Sequence, residues 1–295
     1  KQGTVDASVH FLPEDNRLDL DVRADEPAGG IIANLLKLPD APPVNIVVSG
    51  NGPLADWNGR AAFNVDGQLI TQITGRHQFT DKGSRVEARG DGDFAGFVPL
   101  RLKSLLGGRT SFDLAGTATN DGGIEIENAT FDTAAVHGEA KGSINPKGAS
   151  DFSVEFKSAG PTVPLSLGSE ESPIDIELKS ASLRAFGEGN APAVDIEARL
   201  AKVATNVTKV DNIAMALHSD AFDVANRSGP ISGTVTADRI GLDNPTIAPL
   251  IAGKITAQVD GDVTKDTITV GKGLITSDAL KGGFDGQVSL ADGSI

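Results

Sequence analysis

Apolar and polar residues alternate strictly in short segments from one end of this chain to the other. Leu18, Leu20, Val22 and Ala24 interleave with Asp19, Asp21 and Arg23, and Phe63 and Val65 flank Asn64. The pattern returns at Ile124 and Ile126, and at Phe152, Val154 and Phe156. Ile174, Ile176 and Leu178, then Val194 and Ile196, Ile268 and Val270, and Phe284, Val288 and Leu290 continue it. Successive side chains of a pleated strand point to opposite faces, so each segment has one dry face and one wet face. Strands of a parallel sheet covered by helices are apolar on both sides, so the alternation specifies an antiparallel sheet. Asp66-Gly67, Asn120-Asp121-Gly122-Gly123, Asp260-Gly261 and Asp292-Gly293 supply turn signals between the strands.

Three short segments depart from this period. Ile31, Ile32, Leu35 and Leu36 share a helical face, Phe97, Leu102, Leu105 and Leu106 approximate another, and Ile247, Leu250 and Ile251 follow Pro245. Helices of about two or three turns are marginal alone and need packing against a sheet. With little positive charge, they read as plugs at sheet ends rather than membrane-surface helices.

The helices also mark an internal repeat. Leu106-Gly107-Gly108-Arg109, followed by Phe112, Leu114 and Gly116, aligns without gaps on Ile251-Ala252-Gly253-Lys254, followed by Ala257, Val259 and Gly261. After one deletion, Ile124, Ile126 and Phe131 fall on Ile268, Val270 and Ile275. Leu36, Ile46, Val48 and Gly50 form a weaker copy. Repetition of one module predicts a quasi-linear array, with modules near 31–90, 97–160 and 247–295 of a single extended segment covering 1–295. The expected fold class is all-β with a few short helices: an elongated, repetitive antiparallel β-groove, with a β-sandwich or a β-solenoid as alternatives.

Composition narrows the chemistry. Lys plus Arg is 26 and Asp plus Glu is 40, a net charge of −14, which repels phosphate and argues against nucleic acid as a partner. With no cysteine there is no disulfide, thiol nucleophile or thiolate metal site. No run approaches the roughly 18 apolar residues of a membrane-spanning helix. The chain starts at Lys1 and stops at Ile295 just after a strand-like segment, which reads as an excerpt of a longer polypeptide.

Motifs for catalysis are weak. Gly90-Asp91-Gly92-Asp93-Phe94-Ala95 formally matches a dinucleotide loop, but two aspartates would face pyrophosphate, so a tight turn into a plug helix is the better reading. The pairs Asp91/Asp93 and Asp260/Asp262 lie outside any calcium-loop pattern and read as solvated turn residues. His10, His77, His137 and His218 are scattered without zinc spacing. No catalytic acid, base and nucleophile can be named, so the expectation is a protein that is not an enzyme and needs no cofactor.

The only tryptophan, Trp57, sits in Ser49-Gly50-Asn51-Gly52-Pro53-Leu54-Ala55-Asp56-Trp57-Asn58-Gly59, which reads as a long turn whose indole covers the sheet edge. A strand ending in this motif and followed by short alternating strands resembles the periplasmic TamB proteins of the AsmA-like superfamily. Asn226-Arg227-Ser228-Gly229-Pro230-Ile231-Ser232-Gly233-Thr234 and the stretch from Pro249 to Leu290 add to the likeness. The resemblance implies the middle of an envelope-spanning protein anchored in the bacterial inner membrane, its periplasmic part folded as a β-taco. It further implies an Omp85-type outer-membrane partner through the full-length parent, outer-membrane protein clients, and phospholipid acyl chains as cargo.

Dry strand faces can close on a second sheet, as a sandwich core, or on acyl chains, as a groove lining. The candidates are Leu18, Leu20, Val22, Ile46, Val48, Phe63, Val65, Phe112, Leu114, Ile124, Ile126, Phe152, Val154, Phe156, Ile174, Ile176, Ile196, Ile268 and Val270. Sheltering a CH₂ group from water contributes roughly 0.8 kcal/mol, so a chain of about sixteen carbons could contribute on the order of 10 kcal/mol. The resemblance favours the groove. A structural or adhesive β-solenoid at the cell surface, binding proteins or glycans, is the alternative function.

Overall fold

A computed structural model describes residues 3–36, 38–93, 103–145, 147–168, 173–188, 190–242, 246 and 248–289. The chain divides into two compact units, residues 1–141 and 142–295. Both are built almost wholly from antiparallel strands, as the alternation specifies.

Unit 1 contains β1 (Thr4–Leu12), β2 (Arg17–Glu26), α1 (Ile31–Leu35), β3 (Val44–Pro53), β4 (Asp56–Val65), β5 (Gln68–Thr80), β6 (Gly83–Asp93), α2 (Lys103–Leu106), β7 (Arg109–Thr119) and β8 (Ile124–Asp132). Each strand from β1 to β8 pairs antiparallel with the next, giving an open meander. The register keeps one set of residues in line. Val22 faces Val48, Val48 faces Ala61, Ala61 faces Ile73, Ile73 faces Gly90, and Gly90 faces Phe112. Because side chains alternate along each strand, this line carries the whole dry set onto one side. Val65 follows Phe63 in phase along β4, and a bulge opposite Ala115/Gly116, with Glu127 as the extra residue on β8, brings Ile126 into phase as well.

β9 (Val136–Ile144) spans the division, and unit 2 continues with β10 (Ala149–Ser158), β11 (Val163–Gly168), β12 (Pro173–Glu188), β13 (Ala193–Ala204), β14 (Thr208–Ser219), β15 (Gly229–Ala237), β16 (Arg239–Leu242), β17 (Ile255–Val263), β18 (Thr267–Thr276) and β19 (Lys281–Ser289). The long β12 carries β10 and β11 along one edge and β13 along the other. From β13 the order runs through β14, β15, β17 and β18 to β19, with β16 also on β14. Val154, Leu183, Ile196 and Leu217 are aligned partners, and so are Met215, Val235, Ala257 and Ile275. Unit 2 therefore has its own continuous dry face.

The repeat extends to backbone detail. A short helical turn precedes both β7 and β17, the latter a 3-10 turn at Ala248–Ile251. Gly108 and Gly253 occupy the aligned positions with φ of 82° and 84°, where a side chain would be strained. Opposite the aligned Gly116 and Gly261 the partner strand is bulged, with Glu127 and Gly271 as the extra residues, and the two glycines face Ile126 and Val270 respectively.

Some expectations are corrected. α1 is only five residues long, and Ile31 and Leu35 do not pack; they are 82% and 78% exposed. Instead Ala33 and Leu38 are buried with Val44 and Val65, beside Ile32, Ile46, Phe63 and Ile70. The Glu26 carboxylate accepts hydrogen bonds from the backbone N–H groups of Ile31, Ile32 and Ala33, so a side chain from β2 caps the helix and turns it. Gly90 to Asp93 end β6 rather than forming a turn, and Asp260, Gly261 and Asp262 lie inside β17. The Asp-Gly pair alone mimics a turn signal; β17 runs straight through it, and the bulge opposite places its extra residue, Gly271, on β18. Phe94, Ala95, Phe97, Leu102, Pro245, Ile247, Leu290, Asp292 and Gly293 lie outside the described residues.

Candidate functional site

The wet faces are laced with ion pairs. Asp56 receives two hydrogen bonds from Arg76 at 2.6 Å each, Arg85 joins Glu87 and Glu127, and Arg184 holds Asp151 through two bonds at 3.1 Å. Asp91 pairs with Arg109, so its charge is engaged on the strand instead of lying in a phosphate loop. All but Arg85–Glu87, which lies within β6, cross between strands, and these solvated or half-buried pairs are individually weak. They keep the wet side hydrated and oppose slippage of the register. Two polar hollows open on this side of unit 1, one of about 700 Å³ bordered by Ser8, Asp19, Ser49 and Arg60, and another of about 560 Å³ bordered by Arg89, Asp113 and Asp132.

Arginine contacts hold the carboxyls of Asp56, Glu127, Asp151 and Asp211 below their ordinary ionisation range, through Arg76, Arg85, Arg184 and Arg239 respectively. His218 is displaced upward from its ordinary value of 6.5 by Asp195 first and then by Asp220. The signs follow from linkage. The aspartates contribute stability above their ordinary value of 3.8 and lose it as pH falls through the lowered folded value. His218 contributes stability below 6.5 and loses it as pH rises through its raised folded value. Thermal unfolding followed by circular dichroism is therefore expected to show a midpoint that drops on acidification below about pH 4. It should also show a shallow decline on the alkaline side of 6.5 that His218→Asn removes. Both slopes should shrink in high salt. A flat profile across both ranges would contradict these assignments.

The dry faces are the opposite in character. Of the sequence candidates, Val65 is buried, Leu114, Ile124 and Phe156 are exposed, and the other candidates are half-buried. On the same side of unit 1, Val5 and Val9 are 72% and 60% exposed. Sandwich core residues at the centre of a sheet would be sealed. Among the described residues of unit 1, the buried apolar cluster is instead confined to the region under α1. Leu18, Leu20, Val22, Ile46, Val48, Phe63, Phe112 and Ile126 line up by register across the meander. Ile174 and Ile176 lie on the part of β12 paired with β11.

Trp57 belongs to this dry side. Strands β3 and β4 are joined by only two residues, Leu54 and Ala55, so the motif is a tight hairpin and the expected long turn is absent. The indole lies over the paired Gly50 and Gly59, where a Cβ would approach it to 2.1 and 2.5 Å, and its Nε1 donates to the Leu18 carbonyl on β2 at 3.0 Å. One half-buried side chain thus ties three strands together.

In unit 2 the dry face deepens into a cavity of about 750 Å³. Phe152, Ile196 and Ile268 from the sequence candidates reach its wall, and Leu183, Val194, Leu217, Ile231 and Val263 join them. Its cover is the 220–228 loop, which brings Phe222 and Val224 over the end of β13 and β14. Backbone hydrogen bonds from Phe222 to Pro192 and from Val224 to Asn190 hold that loop in place. This loop escapes the strand pattern, although Phe222 and Val224 do flank Asp223. Among the described residues, no group of three or more His, Cys, Asp or Glu side chains is placed to hold a metal ion. Nor is any helix long and apolar enough to cross a membrane.

No protein-family model, curated protein or solved structure matches the chain.

Proposed function

We propose that this chain is a non-enzymatic, lipid-shielding segment of a TamB-like periplasmic protein, its dry faces covering phospholipid acyl chains, or strands of outer-membrane proteins, in transit between membranes. The observation that carries the reading is the register-continuous apolar face, left half-exposed across most of unit 1 and, in unit 2, half-exposed at Val154, Leu183, Ile196 and Leu217 while Val194, Ala198, Ile213, Ala237 and Ile255 are buried. A wet opposite face bearing ion pairs explains how a sheet with that much open apolar surface stays dissolved. On this reading the parent protein is anchored in the inner membrane and meets an Omp85-type partner in the outer membrane.

Native mass spectrometry of protein purified from a bacterial envelope is the first test. Phospholipid adducts are expected on the folded chain, removable by organic extraction and restored by incubation with labelled phospholipid vesicles. A delipidated, folded chain that never takes lipid back would contradict the proposal.

A further inference from the structure

One edge of unit 1 is open. Among the described residues β1 pairs with β2 alone, and all nine of its residues, Thr4 to Leu12, are exposed. The outer side of such a strand presents a row of unpaired N–H and C=O groups, which proteins blunt with lysine, proline or a bulge. β19, paired only with β18 among the described residues, shows such devices: Lys281 and a broken register, with Gly282, Gly283 and Gly286 weakening the strand further. β1 shows none of them. It holds no lysine, proline or glycine, and its register with β2 runs unbroken from Thr4 opposite Asp25 to Leu12 opposite Arg17.

This edge is complementary to itself. Turned through a two-fold axis at Ser8, a second β1 runs antiparallel to the first and pairs every residue: Ser8 with Ser8, Ala7 with Val9, Asp6 with His10, Val5 with Phe11 and Thr4 with Leu12. Ala7 faces the dry Val22 on β2, so Val5, Ala7, Val9 and Phe11 are the dry set, and this register lays dry on dry. The chain already contains both kinds of pair. His218 stands opposite Asp195 across β14 and β13 with Nδ1 and Oδ1 2.7 Å apart, and Ile46 stands opposite Phe63 across β3 and β4. Directly opposed pairs of this sort are the favourable units of sheet pairing. Moving the axis one residue either way sets Asp6 or His10 against Ser8 and leaves two residues at one end unpaired, and an axis between residues sets dry against wet.

We propose that β1 is a dimer seam, along which a second copy of this chain adds antiparallel in the register centred on Ser8. Such a contact is isologous and closes on itself, so it consumes the open edge and does not propagate into a fibre. Strands β1 to β8 of each copy then share one dry face across the axis. The inference concerns assembly and holds whatever the dry face covers.

Sedimentation equilibrium of the full chain should show monomer and dimer with a Kd on the order of 10 µM, as befits a seam smaller than a standard interface. Val9→Lys, at an exposed position, should weaken the dimer at least tenfold with circular dichroism unchanged. Because the chain has no cysteine, single cysteines and a short bismaleimide read the register. Ser8→Cys should cross-link to itself. Asp6→Cys should not, since its two copies lie four residues apart, about 13 Å along the seam, yet it should cross-link when mixed with His10→Cys. A chain still monomeric at about 100 µM would overturn the proposal. So would a dimer in which Ser8→Cys stays unlinked, or in which Asp6→Cys links to itself as fast as Ser8→Cys does.

Discussion

Replacing Ile126 or Val154 with Asp is expected to reduce capture of acyl chains by at least tenfold while leaving the fold intact. Both residues are half-buried on a dry face, Ile126 opposite Gly116 and Val154 opposite Leu183. From a half-open surface a new carboxylate can keep much of its hydration, so folding survives. A guest hydrocarbon seated there would have to strip that hydration away and would also lose an apolar contact of about 1.5–3 kcal/mol. At about 1.4 kcal/mol per factor of ten, that contact alone corresponds to roughly ten- to hundredfold weaker binding. Val65→Asp supplies the contrast, because Val65 is 7% exposed beneath α1 and an unpaired charge there should unfold unit 1. Binding of a fluorescent phospholipid and far-ultraviolet circular dichroism separate the two results. Folded Ile126→Asp and Val154→Asp variants that bind lipid normally would remove the dry face from the mechanism.

Substituting Gly50 with Val should destabilise unit 1 by about 2–4 kcal/mol and shift tryptophan emission to the red. The cause is local. A Cβ at Gly50 would stand 2.1 Å from Trp57 Cζ2, so the indole must leave its seat and surrender its hydrogen bond to Leu18. Since Trp57 is the only tryptophan, its emission reports this displacement directly. Gly67→Ala is the matched control: nothing lies within 4 Å of a Cβ there, but φ is +76°. It should cost only about 1 kcal/mol, with emission unchanged. Unshifted emission in a destabilised Gly50→Val protein would mean that the indole does not rest on that glycine.

Much of this organisation is legible from two-residue alternation alone. The period places Leu18, Leu20 and Val22 on one side, and the register then finds them partners in Gly52, Gly50 and Val48. Alternation cannot supply the register itself, nor where it slips. At Asp260-Gly261 the dipeptide carries a turn signal although β17 continues through it opposite a bulge in β18, so a continuous strand reads as a hairpin. The packing of α1 is also hidden, because Glu26, distant in the helical pattern, caps the first turn and leaves Ile31 and Leu35 facing water. The cavity is the least visible part. Its cover comes from a loop with no period, and Ser219 continues a strand in which a small hydroxyl carries no signal of burial.

Val47 and Val48 offer the most direct comparison, because they are neighbouring, half-buried valines on opposite faces of β3. A photoreactive diazirine amino acid placed at each position in turn, in cells and then illuminated, reads which face meets cargo. Adducts bearing acyl chains or outer-membrane protein strands are expected from position 48 and not from position 47. Equal labelling at the two positions, or none at 48 in a folded protein, would contradict a cargo-bearing dry face.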